Sequence, residues 1–331
     1  MVSLGLNFTT RQTAHTLRLS ATLDEKYELH MSETELPTRT STSIKAVAEK
    51  ADALIQWLEK SLNIRAGNSW LRIYSKQVRK LANLLEDNRH DEANSDVVMY
   101  HRALLELHEF FLPFYTFKST DQIGGLKELL KVSIGGPEDR YSPNDTKSPS
   151  RNHFFEVQIG ARLYGIGLPV EFPEANAVNG DVETCVEQRR VIIQCKRVSS
   201  KKRIEQRFRE AMDQLRSHWR VHPQSFAMVA IDISKILNEN YQLLMVKDQS
   251  HAHSAMYSEM KSFSDEYIKP LAEVQGLIEQ RCIGAIIYSG QMYMDAKENA
   301  RAHFPAYSLC YFWPDCEVSK AVLDQIDPRG V

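Results

Sequence analysis

Apolar residues recur at spacings of three and four through the first third of the chain, which is the period of an amphipathic helix. The clearest stripe comprises Ile44, Val47, Ala48, Ala51, Leu54, Ile55 and Leu58. The same spacing predicts further helices over 69–86, 96–116 and 121–133. Before position 30, alternating apolar and polar residues predict a β-hairpin instead. No period of 20–50 residues repeats, so the pattern favours a helical bundle over a solenoid.

A segment rich in Gly, Pro, Ser, Asn and Asp, residues 134–152, interrupts these patterns. Such a composition is typical of a loop or linker. We therefore predict a domain boundary within it. A mostly α-helical N-terminal domain would occupy residues 1–140, and a second domain would occupy residues 141–331.

Beyond the linker, helical and extended patterns alternate. Helical periods cover 153–164, 201–220 and 254–281. Strand-like runs cover 168–172, 178–186, 191–198, 226–233, 283–289 and 307–313. The order is α-β-β-β-α-β with later additions, which predicts an α/β fold with helices packed on a central mixed sheet.

The strand at 191–198, with the sequence VIIQCKRV, carries the candidate chemistry. Side chains alternate along a strand, so Val191, Ile193 and Cys195 share one face while Gln194 and Lys196 share the other. The amide and the ammonium are then about 6–7 Å apart along the strand. Asp181 precedes them, and the intervening CVEQRR favours a hairpin turn that returns Asp181 to a place beside Gln194.

These residue types match a site for Mg²⁺ or Mn²⁺, because such ions prefer oxygen ligands and keep several waters. The Asp181 carboxylate, the Gln194 amide oxygen and the Cys195 backbone carbonyl would supply three protein oxygens. Glu156, on the preceding helix, would add an outer carboxylate. Lys196 would position a water and neutralise negative charge on a phosphate.

Charge is distributed unevenly along the chain. The formal net charge is only −2, yet residues 189–220 hold eleven Lys or Arg against three Asp or Glu. A local excess of this size suits a polyphosphate ligand, although a solvated helix face is the alternative. The predicted nucleic-acid contacts are Arg197, Lys202, Arg203, Arg207, Arg209 and Gln214.

The order of these residues resembles the PD-(D/E)XK nuclease superfamily, which has the restriction-endonuclease-like fold. The matching elements are Glu156 on a helix, Asp181 at a strand, Gln194-Cys195-Lys196 on the next strand, and the helix with Arg203, Arg207 and Gln214. The match covers roughly residues 150–235, about a quarter of the chain. Gln194 is similar to the variant found in the Mrr-like branch. Gly180 stands where the motif has proline.

The resemblance implies a Mg²⁺-dependent endonuclease that hydrolyses phosphodiester bonds in DNA, with a role in restriction or antiphage defence. The alternative is a catalytically inactive nucleic-acid-binding or assembly protein on the same fold, because Gln194 removes one negative charge from the motif. RNA stays open as a substrate. The N-terminal domain would bind a partner protein, a target or a second protomer, and cutting both strands would need a homodimer.

The cysteines and the distribution of apolar residues indicate the cellular compartment of the protein. The five cysteines are odd in number and dispersed, which favours reduced thiols over a disulfide framework. The N-terminus has no apolar core of a secretory signal, and no run of about 18 apolar residues predicts a membrane span. We therefore expect a cytoplasmic protein.

Overall fold

The computed structural model describes residues 44–120, 123–135, 149–174, 180–237, 244–247, 249–274, 281–295, 300–312 and 326. By their contacts, all of these belong to one compact unit. The predicted N-terminal hairpin lies outside the described residues, and so does the predicted domain boundary between 140 and 141. The division into 1–140 and 141–331 therefore stays a prediction.

The predicted N-terminal helices are present. They are α1 (Ile44–Gln56), α2 (Trp70–Glu86), α4 (Val97–Phe117) and α5 (Leu126–Ser133). The short helix α3 (His90–Ser95) was not predicted. Helix α2 is capped by Ser69, whose hydroxyl accepts a hydrogen bond from the backbone N–H of Arg72. Helix α5 begins five residues later than predicted, because Gly125 has a φ of 76°, a left-handed conformation that a helix does not contain.

The second part follows the predicted order of elements. It comprises α6 (Pro149–Gly165), β1 (Val170–Glu171), β2 (Val182–Val186), β3 (Arg189–Arg197), α7 (Ile204–Val221) and β4 (Phe226–Asp232). It continues with α8 (Ser234–Leu237), β5 (Leu244–Val246), α9 (Gln249–Phe263), α10 (Lys269–Val274), β6 (Cys282–Asp295) and β7 (Ala300–Tyr311). The predicted α/β class with a central mixed sheet is confirmed.

The described strands form one sheet of seven. Six strands follow the order β1-β2-β3-β4-β6-β5, and the seventh, β7, pairs with β6 outside this path. Strands β1 to β3 are antiparallel, whereas β3, β4 and β6 run parallel to one another. The carboxyl ends of these three parallel strands therefore lie at the same edge of the sheet, which is where Lys196 and Arg197 are located.

Several predicted bounds were wrong. Helix α6 begins at Pro149, inside the predicted linker, because Ser150 and Arg151 are buried there rather than solvated. Proline fits the first turn of a helix, where its missing N–H has no partner to lose. The predicted helix at 254–281 begins earlier and passes through a π-helical turn, Ser264–Ile268, before α10. Strand β5 and helix α8 were not predicted.

Helices cover both faces of β3. Val191, Ile193 and Cys195 pack in a core shared with α1 to α6, whereas Ile192 packs in a second core with α7 and α9. The alternation of β3 was predicted correctly, but its second face is buried as well. Strands of parallel sheets are typically covered on both faces in this way.

A buried polar network joins α4 and α6 to β6. The Tyr288 hydroxyl donates a hydrogen bond to Glu109 Oε1 at 3.0 Å, and Gln158 Nε2 donates to Glu109 Oε2 at 3.5 Å. Gly290 allows this close approach, because a Cβ at that position would overlap Glu109 Oε1 and the Tyr288 hydroxyl. The N-terminal helices thus pack directly on the sheet.

Candidate active site

The β2–β3 hairpin sets the register of the candidate site. Glu187 and Gln188 form its two-residue turn with φ values of 48° and 64°, the left-handed pair that a type I′ turn requires. The ladder pairs Val182 with Ile193, and the Asp181 backbone N–H donates to the Ile193 carbonyl at 3.1 Å. The next position along the ladder brings Asp181 beside Gln194, as predicted.

Three of the predicted side chains meet at this point. Lys196 Nζ lies 3.7 Å from Asp181 Oδ2 and donates a hydrogen bond of 3.4 Å to Gln194 Oε1. Asp181 Oδ2 also accepts a hydrogen bond of 2.7 Å from the Cys195 backbone N–H. Gln194 is only 1% exposed, whereas the side chains of Asp181 and Lys196 are 23% and 14% exposed. A buried amide thus adjoins two charged groups that solvent can reach.

Glu156 belongs to the same electrostatic cluster, and it contacts His153, a residue that was not predicted from the sequence. His153 Nδ1 lies 2.9 Å from Glu156 Oε2, one helical turn away on α6. The charges of Asp181 and Lys196 both act on the pKa of Glu156, and Asp181 also acts on that of His153. The spacing of three between a histidine and a glutamate was a signal that could have identified His153.

The carboxyls of this cluster resist ionisation. Burial raises the pKa of Glu156, and the negative charge of Asp181 raises it further, although His153 and Lys196 oppose the shift. Burial likewise raises the pKa of Asp181, against the opposing effect of Lys196 and of the Cys195 N–H. Acids perturbed by burial and by neighbouring charges are characteristic of functional sites, although structural ion pairs perturb them too.

The donor atoms fit a hard divalent cation. Asp181, Gln194 and the Cys195 carbonyl offer oxygens. A cation beside Asp181 and Glu156 would offset the burial that raises both pKa values and the charge of Asp181 that further raises the pKa of Glu156. Within the described ranges no three His, Cys, Asp or Glu side chains form a metal-holding group. The predicted ligand set is of a different kind, since it depends on an amide and a backbone oxygen.

The predicted nucleic-acid contacts differ in their surroundings. Lys202 and Arg203 are exposed in a 3₁₀ turn, Lys201–Arg203, five residues beyond Lys196. On α7 the acids neutralise part of the basic run: Arg207 pairs with Glu210, Arg209 with Glu205, and Arg216 with Asp213. Gln214 is exposed. The exposed positive charge is therefore concentrated at the 3₁₀ turn rather than spread along the helix.

Arg197 and Glu183 have partners inside the protein. Arg197 is 12% exposed, and its Nε donates a hydrogen bond of 3.1 Å to Asp232 Oδ2 at the end of β4. Glu183, two residues after Asp181, is buried, and its Oε2 accepts a hydrogen bond of 2.7 Å from Arg190 Nε. Both side chains hold strands together.

The His153–Glu156 pair predicts that stability falls as pH rises. The pKa of His153 is raised chiefly by its hydrogen bond to Glu156. The stabilisation that protonated His153 gives the folded protein is therefore fully present below its pKa in the unfolded chain, about 6.5. It is lost as pH rises through its pKa in the folded protein. The free energy of unfolding, measured in urea, should be higher for the wild type than for His153→Gln. This difference should be larger at pH about 5.5 than at pH about 8.5. A pH-independent difference would contradict this, and His251→Gln, at an exposed histidine of α9, is the control.

Comparison of the chain with protein families, with characterised proteins and with solved structures found no match. The resemblance to the PD-(D/E)XK superfamily therefore stays a prediction from the motif residues. None of the helices in the described ranges is both long enough and apolar enough to span a bilayer.

Proposed function

We propose that this protein is a Mg²⁺- or Mn²⁺-dependent endonuclease that hydrolyses phosphodiester bonds in DNA. The observation that carries the proposal is the meeting of Asp181, Gln194 and Lys196 at one end of the β2–β3 hairpin, with Lys196 Nζ 3.7 Å from Asp181 and 3.4 Å from Gln194. Glu156 supports it through its electrostatic coupling to Asp181 and Lys196.

The order of elements supports a restriction-endonuclease-like core. Helix α6 with Glu156 precedes a β1–β2–β3 meander, and α7 then leads to β4, which lies parallel to β3. The motif expects its acid helix, its hairpin and its basic helix in this sequence. The fold alone does not define an activity, so the proposal depends on the side chains.

In this proposal each side chain has a stated role. Asp181, Gln194 and the Cys195 carbonyl would hold the divalent ion, which when bound supplies a water of lowered pKa and charge stabilisation at the phosphate. The Lys196 ammonium neutralises negative charge that develops on the phosphate oxygens. Glu156, hydrogen-bonded to His153, accepts a proton from the attacking water and passes it to solvent through the partly exposed imidazole.

The exposed 3₁₀ turn supports a nucleic-acid substrate. Lys201, Lys202 and Arg203 are exposed in succession, directly after the strand that carries Lys196. Backbone phosphates of DNA would bind such a cluster, and the affinity would fall steeply with salt because counterions are released. A role in restriction or antiphage defence, in a homodimer or with a partner protein, is part of the same proposal.

The test is cleavage by the purified full chain with Mg²⁺, with Mn²⁺ and with EDTA. Supercoiled plasmid, linear duplex, single-stranded DNA and RNA are offered in parallel. Metal-dependent cutting of DNA supports the proposal, and cutting of RNA alone would reassign the substrate. If every nucleic acid stays intact but binds with a steep salt dependence, the alternative of an inactive nucleic-acid-binding protein on this fold is favoured.

A further inference from the structure

The basic 3₁₀ turn, Lys201–Arg203, lies beside an aromatic ring on the surface of the protein. Lys201 Nζ is located over the ring of Tyr267, 5.6 Å from its centroid. Tyr267 belongs to the π-helical turn Ser264–Ile268, which follows α9. Such turns are rare and occur frequently at functional sites. Three exposed cations and one aromatic side chain thus share one surface.

Backbone hydrogen bonds hold the basic turn in a defined position beyond β3. The Val198 N–H donates a hydrogen bond of 3.0 Å to the Asp232 carbonyl, and the Arg203 N–H donates one of 3.0 Å to the Ser200 carbonyl. The turn therefore continues directly from the strand that carries Lys196. A cluster of cations that is already ordered binds a ligand with a smaller loss of conformational entropy.

Tyr267 is anchored by the core and yet only partly buried. Its ring centroid lies 5.2 Å from that of Phe263, which is 4% exposed, and it packs against the core that contains α7 and α9. A hydrogen bond with Glu266 is the main cause that raises the pKa of the Tyr267 hydroxyl, so the phenol is neutral at pH about 7. The ring is therefore a fixed, uncharged and partly accessible surface.

The charge around this ring is mainly positive. The acids next to the basic turn and next to Tyr267 have partners of their own: Glu205 pairs with Arg209, and Asp265 pairs with Lys269. The three cations of the turn are exposed. Proteins that bind single-stranded nucleic acids combine such cations, which contact the phosphates, with aromatic side chains on which bases stack.

We propose that this surface binds single-stranded DNA, with phosphates on the basic turn and a base stacked on Tyr267. In a duplex each base lies between its neighbours and offers no face to the ring, whereas an unpaired base can stack on an aromatic side chain. Lys201 is exposed, so its ammonium can turn from the ring to a phosphate when a base takes its place. A preference for unpaired DNA specifies the substrate of the proposed nuclease, and it rests on that function.

The experiment is a fluorescence-anisotropy titration of the full chain with labelled oligo(dT) of about 20 nucleotides and with a duplex of equal length, in EDTA to prevent cleavage. Tyr267→Leu keeps an apolar side chain against the core. It should weaken single-strand binding about 5- to 100-fold and duplex binding less than about twofold. Tyr267→Phe keeps the ring and should bind both forms within about twofold of the wild type. Lys201→Ala should weaken both forms and reduce the salt slope of each by about one.

Tyr115→Leu is the matched control. Tyr115 is also exposed and has Lys118 Nζ over its ring, 4.7 Å from the centroid, but α4 carries no run of successive cations. This variant should bind both forms of DNA like the wild type. A second measurement needs no variant: ultraviolet crosslinking of the wild type to a single strand that contains 5-iodouracil should modify Tyr267.

The outcomes separate this inference from the proposed function. If Tyr267→Leu binds the single strand like the wild type, or weakens single strand and duplex equally, Tyr267 is not a stacking residue and the inference fails. Crosslinks that map only to other residues would overturn it as well. In these cases the nuclease proposal stands, because the basic turn can still bind phosphates. If the wild type binds neither form of DNA, both proposals fail.

Discussion

Replacing Lys196 by alanine is expected to reduce DNA cleavage by at least about 100-fold, with little change in the amount of folded protein. The reason lies in the position of the ammonium, 3.7 Å from Asp181 Oδ2 and 3.4 Å from Gln194 Oε1. Its loss removes the positive charge that would stabilise the phosphate in the transition state. The measurement is the initial rate of plasmid nicking at saturating Mg²⁺ or Mn²⁺.

Two comparisons give this result its meaning. Lys60→Ala changes an exposed lysine of the N-terminal helices and should cut like the wild type. Filter binding to duplex DNA at low salt should change little for Lys196→Ala, because the exposed 3₁₀ turn is intact. If Lys196→Ala cuts as fast as the wild type, the site is wrong even though the protein is a nuclease.

The hairpin that carries the site could be predicted because its information is local. Period-two alternation in VIIQCKRV fixed which side chains share a face, and the hydrogen bond between Lys196 and Gln194 agrees with it. The short polar segment before the strand fixed the turn at Glu187 and Gln188. One residue of error in that turn would have moved Asp181 away from Gln194.

The positive charge of residues 189–220 was predicted, but the acids that neutralise part of it were not, although the sequence indicates them. Arg207 with Glu210, Arg209 with Glu205, and Arg216 with Asp213 are three or four residues apart on α7. Such spacings place oppositely charged side chains side by side on a helix, so the pairs could have been identified from the sequence. The bond of Arg197 to Asp232 could not, because the two residues are 35 positions apart on neighbouring strands.

The start of α6 shows a different limit. Gly, Pro and Ser before Arg151 are typical of a linker, and a polar sequence near a helix N-terminus carries no apolar stripe. The structure nevertheless buries Arg151 at 1% exposure, and its Nη1 donates a hydrogen bond of 2.8 Å to Glu106 Oε2 on α4. A partner 45 residues away makes this burial tolerable, and local periodicity has no means of indicating it.

That buried pair leads to the second large effect, which concerns stability and is independent of any activity. Arg151→Met should lower the free energy of unfolding by about 3–5 kcal/mol, because Glu106, 0% exposed, would be left buried without this cation. The guanidinium also lies 3.9 Å from the centroid of the Trp70 ring, so packing against α2 is lost with it. Urea unfolding followed by tryptophan fluorescence measures the change.

The matched control is Arg72→Met, which breaks the Arg72–Glu59 pair on the surface. That pair has a similar separation of 2.7 Å, but its side chains are about one-third exposed, so its loss should cost no more than about 1 kcal/mol. Replacing both buried partners, with Arg151→Met and Glu106→Leu together, should recover much of the stability, because neither charge of the pair is then left buried without the other. A double variant as unstable as Arg151→Met alone would show that the loss comes from packing on Trp70. If Arg151→Met lowers the free energy of unfolding no more than Arg72→Met does, the buried ion pair does not stabilise the packing of the N-terminal helices on the helix that carries Glu156.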